Sequence, residues 1–528
     1  MIGRATTRDE AGGVVGGGST GAATEAAGRH EGSRHRSPNG GGPKPAGETA
    51  KRRGVTRHVF FALAGFAVLM GSIDTTIVAV AIPNLTTALD APLILVGWTL
   101  TAYQLVQVVM LPLAGKLSDS LGRRRVFLFC VGTFTLGSLL CGLAPSIGFL
   151  IAARALQAIG GGGLMPSAVG VISDTYREHR AQARGLFTSV LPIGGIVGPN
   201  LGGFILEHWT WRDMFFINLP IGVIVFIGAA LLLEKDGPRK SRHIDFLGVA
   251  LYAGAIALLL GAMTLVGQDP ELWKSPLLWG AVAASLGLVV VFFRHIRRAA
   301  DPVMDYNLVL RPPFLQANLY NMVFGASVFG ASSFIPTYAV YHFGMSPQFS
   351  GSVNTPRALV MIVTSIVASM WIIKTGYRLP MVIAVCLISA SLAMLGLGVT
   401  GVQIGAFDFS GFWFLATILT IGGFGMGLSA PSSNNAALDM APDRAAALTG
   451  VRGMFRLTGG ILSIAGIVLA LTFFPDRGQG LVVIYGCLSV AVLGAVPLAL
   501  SIPDTARERW KRARSGAVTA ATEQAAAR

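Results

Sequence analysis

Charge is scarce in this sequence. Asp, Glu, Lys and Arg make up 13% of its 528 residues, against about 25% in soluble globular chains. With 52% hydrophobic residues and a mean hydropathy of +0.62, the chain lacks the polar surface to cover itself in water. It reads as a membrane protein. Cysteine is equally thin: Cys130, Cys141, Cys386 and Cys487 lie singly within apolar runs, with no CxxC and no Cys/His cluster. Neither a disulfide scaffold nor a metal site is indicated, and these residues are expected to be small packing groups. Histidine is missing from the middle of every apolar run, so no histidine relay is available. No nucleophile–base pair shares a depth, which argues against an enzyme, and no cofactor is expected. For a net charge of +15 the obvious partner would be nucleic acid. The Lys and Arg are scattered over short loops and two tails, however, which reads as membrane orientation and attraction to anionic lipid head groups.

What is abundant is the apolar run of spanning length. After a polar, Gly-rich tail (1–57) that reads as disordered, runs recur near 59–82, 93–114, 126–144, 147–172, 185–206, 213–233, 244–266, 277–293, 314–341, 349–373, 380–400, 411–433, 447–472 and 481–502. That makes fourteen expected spans, and the first is too long to be the core of a cleavable signal. Loop charges test the count. With the N-terminus inside, the inner loops hold 18 Lys and Arg and the outer loops only Arg212, Lys274 and Arg477. The alternation holds to the end, so both termini are expected to be cytoplasmic.

The few ionisable residues inside spans are the informative ones, because a charge in hydrocarbon is costly and usually functional. Asp74 in "GSIDTTIVAVAIP" and Arg154 in "RALQAIGGGGLMP" come out at the same depth, roughly 10–12 Å below the outer surface at 1.5 Å per residue. A carboxylate and a guanidinium at one level can neutralise each other or share a cavity. Asp74 is the best candidate for a proton carrier; the competing reading is that it braces a kink near Pro83. Arg154 could instead anchor a loop by snorkelling. Arg357 shares their level, with structural and functional readings equally open. Arg452 and Arg456, four apart in the inner half of span 13, read as inner-face packing and lipid contacts.

Several stretches resemble one family. "GKLSDSLGRRR" (115–125) is similar to the signature loop of the major facilitator superfamily, and "RALQAIGGGGLMP" (154–166) to its span-4 motif. "GGIVGPNLGG" (194–203) resembles the antiporter motif G-x-x-x-G-P-x-x-G-G, while "IDTTIVAVAIP" (73–83) and "WRDMFFINLPIG" (211–222) resemble stretches of the fourteen-span drug:proton antiporters. In physical terms, Gly115 and Gly122 would permit tight turns, Asp119 could accept from a neighbouring helix N-terminus, and Arg123 could pair with Asp174. Lys116, Arg124 and Arg125 read as a solvated basic loop. The resemblance implies that the Asp119 and Arg123 contacts latch an inner gate. Gly194, Gly198 and Gly202, with Gly203 beside them, make a flat stripe for close helix approach, and Pro199 adds a kink. The resemblance implies that this packing seals the outer half, as in exporters. Two departures stand out: Gln157-Ala158 replaces the usual Gln-Gly, and "IIKTGYR" (372–378) in the second half lacks an acid at the position of Asp119, so the inner latch is expected to be asymmetric.

The resemblance implies an all-α polytopic fold with two six-helix bundles around a central cavity lined by spans 1, 4, 9 and 12. The divisions would be 58–233 for the first bundle, 234–311 for two extra spans with their linkers, and 312–502 for the second bundle, followed by a basic tail (503–528). The function implied is proton-coupled antiport of small amphipathic molecules, multidrug efflux in type, in the plasma membrane, with protons and lipids as the other partners and a monomer as the working unit. A dedicated exporter of a lipid or endogenous metabolite on the same fold is the alternative. Phe324, Phe329, Phe334, Tyr338, Trp413 and Phe414 could line an apolar pocket, though lipid contact is the expectation for most of them.

Overall fold

The computed structural model describes residues 46–176, 187, 190–233, 236, 244–404, 407–440 and 445–504; the side chain of Asp174 lies outside the described set. Arg53–Arg528 form one compact unit. Among the described residues, fourteen helices are long and apolar enough to span: His58–Ala88, Leu93–Leu121, Arg123–Gly142, Ile147–Ser173, Val190–His208, Asp213–Leu232, Phe246–Gln268, Pro276–Arg298, Pro312–Phe343, Pro347–Ile372, Arg378–Gly396, Gly411–Met440, Leu448–Leu471 and Arg477–Ser501. They are spans 1 to 14. Helices dominate because hydrocarbon offers no partner for a free backbone N–H or C=O. Among the described residues the one sheet is a hairpin between spans 11 and 12, Gly401–Ile404 against Phe407–Ser410, antiparallel with Val402 opposite Phe409. It is absent from the sequence expectation.

Spans 1–6 and 9–14 form two six-helix bundles, and spans 1 and 9, the first of each, are broken in the same way. Span 1 tightens to a 3₁₀ turn at Val78–Ala81 and resumes at Ile82–Ala88, with Pro83 in its first turn. Span 9 runs Pro312–Gly325, loosens to a π turn at Ala326–Gly330, tightens at Ala331–Phe334 and resumes at Ile335–Phe343, with Pro336 in its first turn. Proline removes a helical N–H and cannot continue the ladder. Matching interruptions in the two halves are the usual marker of a transporter's central site. The two broken stretches touch each other across the bundles.

Spans 7 and 8 are central in the chain but peripheral in space. Span 7 lies against the seam of spans 2 and 13: Trp98 Nε1 donates to Thr264 Oγ1 at 2.7 Å, and the Tyr252 and Thr458 hydroxyls are 2.6 Å apart. Aromatic placement corrects one expectation. Phe324, Phe334, Tyr338 and Phe414 pack in the core, and of the six residues only Trp413 is largely exposed.

A buried ion pair beside the span-5 glycine stripe as candidate functional site

Span 4 begins at a serine cap, Ser146, whose hydroxyl accepts from the Phe149 amide, and carries Arg154 into the middle of the first bundle. Arg154 Nη1 donates to Asp74 Oδ2 at 2.6 Å, and both residues are completely buried. The match in depth is thus a direct contact. Two further donors hold the carboxylate. Gln157, one helical turn beyond Arg154, donates Nε2 to Asp74 Oδ1 at 2.8 Å, and Asn218 of span 6 donates Nδ2 to the same oxygen at 3.3 Å. Ser138 of span 3 accepts from both amides, at 2.7 and 3.3 Å. The guanidinium is satisfied in turn by the Gln157 Oε1, the Thr99 carbonyl and the face of Tyr103, whose ring centre is 4.1 Å away. The whole cluster draws on spans 1, 2, 3, 4 and 6. A buried ion pair survives only when such hydrogen bonds fill its remaining positions.

Neither Gln157 nor Asn218 stood out in the sequence as part of this site, because neutral amides carry no depth signal. The one available cue was the i, i+3 spacing of Gln157 from Arg154, which puts both on one helix face.

The span-5 stripe lies immediately behind Asp74. A methyl group added at Gly194 would fall 2.4 Å from the Ser72 side chain. One added at Gly198 would lie 2.0 Å from Thr76 Oγ1 and 2.9 Å from the Ile73 carbonyl, and one at Gly202 2.9 Å from Ile77. The Thr76 hydroxyl also donates to the Gly194 carbonyl at 3.3 Å. The other face of the motif turns to the second bundle: Pro199 and Gly203 abut span 10 at Gly351 and at Pro347–Gln348. Asn200 donates to Thr355 Oγ1 at 2.6 Å, and the Gln348 amide to Glu207 at 3.1 Å. One short helix thereby touches the carboxylate's own helix on one side and the opposite bundle on the other.

Arg357 does not join the pair. It is half-buried in the second bundle, where it donates to Ser332 in the broken stretch of span 9. With Ser327, Ser391 and Met426 it lines a small cavity of about 20 Å³, room for about one water molecule. Depth fixes height along the membrane normal but not the bundle a residue belongs to.

At the inner ends the signature motif differs from the loop expected. Gly115 lies inside the helix Leu93–Leu121 with open space before it and makes no turn. Only Gly122 turns the chain, at φ +108°. Asp119 and Arg123 pair with each other at 3.2 Å, one helical turn apart, and Arg123 lies over Gly170 of span 4; the expected partner, Asp174, has its side chain outside the described residues. Lys116 and Arg124 are engaged rather than free: Lys116 pairs with Asp301 at 2.8 Å, and Arg124 donates to the Ala230 carbonyl at 2.6 Å.

Sequence reasoning missed a symmetric device at this face. Asp236, after span 6, accepts from the Arg124 and Arg125 amides at 3.2 and 3.1 Å and caps span 3. Asp504, after span 14, accepts from the Tyr377 amide at 2.7 Å at the start of span 11. Each carboxylate crowds against a glycine of positive φ, Gly122 or Gly376, where a methyl group would collide with it. Where the first bundle has the Asp119–Arg123 pair, the second has Tyr377 donating its hydroxyl to Asp439 at 2.5 Å.

Two bundles, broken first helices and a buried pair at their level are an arrangement suited to a membrane transporter. The family model of the Major Facilitator Superfamily matches residues 64–463 and 317–526. The chain belongs to the major facilitator superfamily. Curated relatives of this superfamily member include the multidrug transporter protein MdtP of Bacillus subtilis (strain 168), 32% identical over 75% of this chain and 72% of that one. Another is a multidrug resistance protein B homolog of Mycobacterium tuberculosis (strain ATCC 25618 / H37Rv), 30% identical over 78% and 76%. Among solved structures, a POT family transporter in complex with a thioalcohol-conjugated peptide superposes with a TM-score of 0.62 at 16% identity, over 83% of this chain and 95% of that one, a likeness of fold. This superfamily member is therefore a multi-pass membrane transporter.

Proposed function

We propose that this transporter is a proton-coupled exporter of small amphipathic molecules, multidrug efflux in type, working as a monomer in the plasma membrane with its two bundles (58–233 and 312–502) rocking about the central site. The relatives' names support the substrate range. The observation that carries the coupling is Asp74, a fully buried carboxylate whose charge depends on Arg154, Gln157 and Asn218.

Protonation from outside removes the charge that holds Arg154 and one acceptor shared by two amides. Arg154 keeps the Gln157 Oε1, the Thr99 carbonyl and the Tyr103 face, so the proton changes the balance of the cluster without abolishing it. Span 1 responds, and the Gly194–Gly198–Gly202 stripe passes its shift to span 5 and so to span 10 at Pro199 and Gly203. Opening the outer side means parting the broken stretches of spans 1 and 9. Return of the proton to the cytoplasm restores the pair. Substrate bound from the cytoplasm or inner leaflet leaves outward in the same cycle.

The test is dye efflux driven by an imposed pH gradient in vesicles, comparing the native chain with Asp74→Asn. Gradient-driven efflux by the native chain and none by the variant is the expected result. Coupled efflux of undiminished rate in Asp74→Asn removes Asp74 from the coupling role.

A further inference from the structure

Among the described residues, no carboxylate pairs with Arg357, Arg452 or Arg456 of the second bundle. Across residues 312–502 the sequence contains no glutamate, and its aspartates are Asp408, Asp439, Asp443 and Asp476. Of these only Asp439 belongs to a span, at the inner end of span 12, where it accepts from Tyr377. Arg357, Arg452 and Arg456 stand within spans of the same bundle. The first bundle is different, since Arg154 has Asp74.

Arg452 is buried (4% exposed) and its place is built: Nη2 donates to Ser433 Oγ of span 12 at 2.7 Å, Nη1 reaches the Ala317 carbonyl of span 9 at 3.5 Å, and Asn321 donates to its carbonyl at 2.6 Å. It makes no lipid contact, contrary to the sequence expectation. Arg456, one turn further in, is exposed, and among the described residues it has neither an ion pair nor a hydrogen bond; the Phe329 ring lies 5.6 Å from its guanidinium carbon. Its helix face is fixed by its neighbours. Gly453 lies over Leu111 and Gly460 over Gln104, both on span 2 of the opposite bundle, so Arg456 stands at the seam between the bundles. A second, independent sign of a missing ligand is Asn318. It is completely buried next to Ala317, the residue whose carbonyl Arg452 reaches, and among the described residues both atoms of its amide lack a partner. Gln104 Oε1, at the Gly460 contact, is likewise buried and unpartnered.

We propose that Arg456 and Arg452, one helical turn apart on span 13, bind the acidic head group of an amphiphile (a carboxylate, phosphate or sulfonate) in the inner half of the central seam. Arg456 lies eight residues in from Leu448 and Asp74 sixteen in from His58, so the site is roughly 12 Å nearer the cytoplasm than the proton site at 1.5 Å per residue. An anion arriving from the cytoplasm or inner leaflet meets it first. Two guanidiniums four residues apart on one helix suit a head group with two or three acceptor oxygens. Two sources share this chemistry, a transported acidic amphiphile and the head group of a membrane lipid. The inference rests on the exporter reading for the direction of movement but not for the binding itself. Protonating Asp74 makes the interior more positive, so the proton cannot expel an anion by charge, and exchange has to run through the span 1–span 5–span 10 contacts.

Equilibrium binding needs no gradient and separates the two ideas. The full chain in nanodiscs of phosphatidylcholine is titrated with a fluorescent fatty-acid carboxylate and with a fluorescent alkylammonium of equal chain length. The expected result is tighter binding of the carboxylate, weakened about 10-fold or more in Arg456→Ala by loss of a charged hydrogen bond, partly restored in Arg456→Lys, and with alkylammonium binding not weakened. Asp74→Asn, which fails in coupled efflux, should bind the carboxylate no more weakly than the native chain. Phosphatidylglycerol in the nanodisc distinguishes the sources: displacement of the probe assigns the site to a lipid head group, and undiminished binding assigns it to the transported amphiphile. Equal affinity for the two probes, or carboxylate binding indifferent to Arg456→Ala in a variant that keeps its thermal stability, overturns the proposal.

Discussion

Removing the Asp74 carboxylate should destabilise the first bundle by an amount that can be worked out. In Asp74→Ala, Arg154 remains fully buried and loses its 2.6 Å ion pair. Breaking a buried pair from one side costs about 3–5 kcal/mol, because the surviving charge is left uncompensated. The two amides that also served Asp74 are not stranded, since Gln157 and Asn218 both reach Ser138 Oγ. The loss therefore falls on the guanidinium, which retains Gln157, Thr99 and the Tyr103 face. A cation–π contact in a desolvated site is worth about 2 kcal/mol or more. That puts the expected loss near the lower end, roughly 3 kcal/mol, or more than a hundredfold in the folding equilibrium. The double variant Asp74→Asn/Arg154→Gln removes both charges and, despite the shorter side chain at 154, should be more stable than Asp74→Ala because no uncompensated charge stays buried. Reversible unfolding in mixed micelles titrated with a denaturing detergent gives the free energies for a double-mutant cycle. If Asp74→Ala is as stable as the native chain, or the double variant is no better than the single one, the buried-charge argument is wrong.

Other perturbations have equally definite outcomes. Gly198→Ala puts a methyl group 2.0 Å from Thr76 Oγ1; overpacking of this kind costs about 1–3 kcal/mol, and the variant should lose gradient-driven efflux while still binding substrate, as read by dye fluorescence. Asp236→Ala and Asp504→Ala each delete a side-chain cap worth about 1 kcal/mol, so hydrogen exchange should accelerate at the amides of Arg124 and Arg125 in the first and of Tyr377 in the second. Asp245, just before span 7, is pushed up by burial, but hydrogen bonds from His295 and from the Gly248 and Val303 amides outweigh that and hold its carboxyl below the usual range. A depressed carboxylate stabilises above its unfolded value of about 4 and stops doing so as pH falls through its folded value. The stability gap between the native chain and Asp245→Asn should therefore be constant above about pH 5 and close below pH 4, which thermal unfolding across that range would check.

The number of spans was written in the sequence, because hydropathy and loop charge are local properties that each segment carries by itself. The depth of Asp74 and Arg154 was legible for the same reason: a helix rises by a fixed amount per residue. Pro83 likewise marked a kink in span 1, whereas Pro336, at the matching break in span 9, did not stand out. Azimuth and partner were not legible. Arg357 shares their level yet sits in the other bundle, and Gly115, read as a turn, is mid-helix because the apolar spacing of Leu117 and Leu121 carries span 2 onward. Asp236 and Asp504 reach glycine turns more than a hundred residues back in the chain, and no local pattern ties them together. The amides of Gln157 and Asn218 and the uncancelled charge of Arg456 acquire meaning only from what stands beside them. The sequence by itself determined a fourteen-span membrane protein and put one acid and one base at a common height. Only the tertiary structure decided that they touch, that span 5 lies between them and the second bundle, and that the second bundle holds its arginines without a matching acid, because burial and charge compensation depend on which helices pack together.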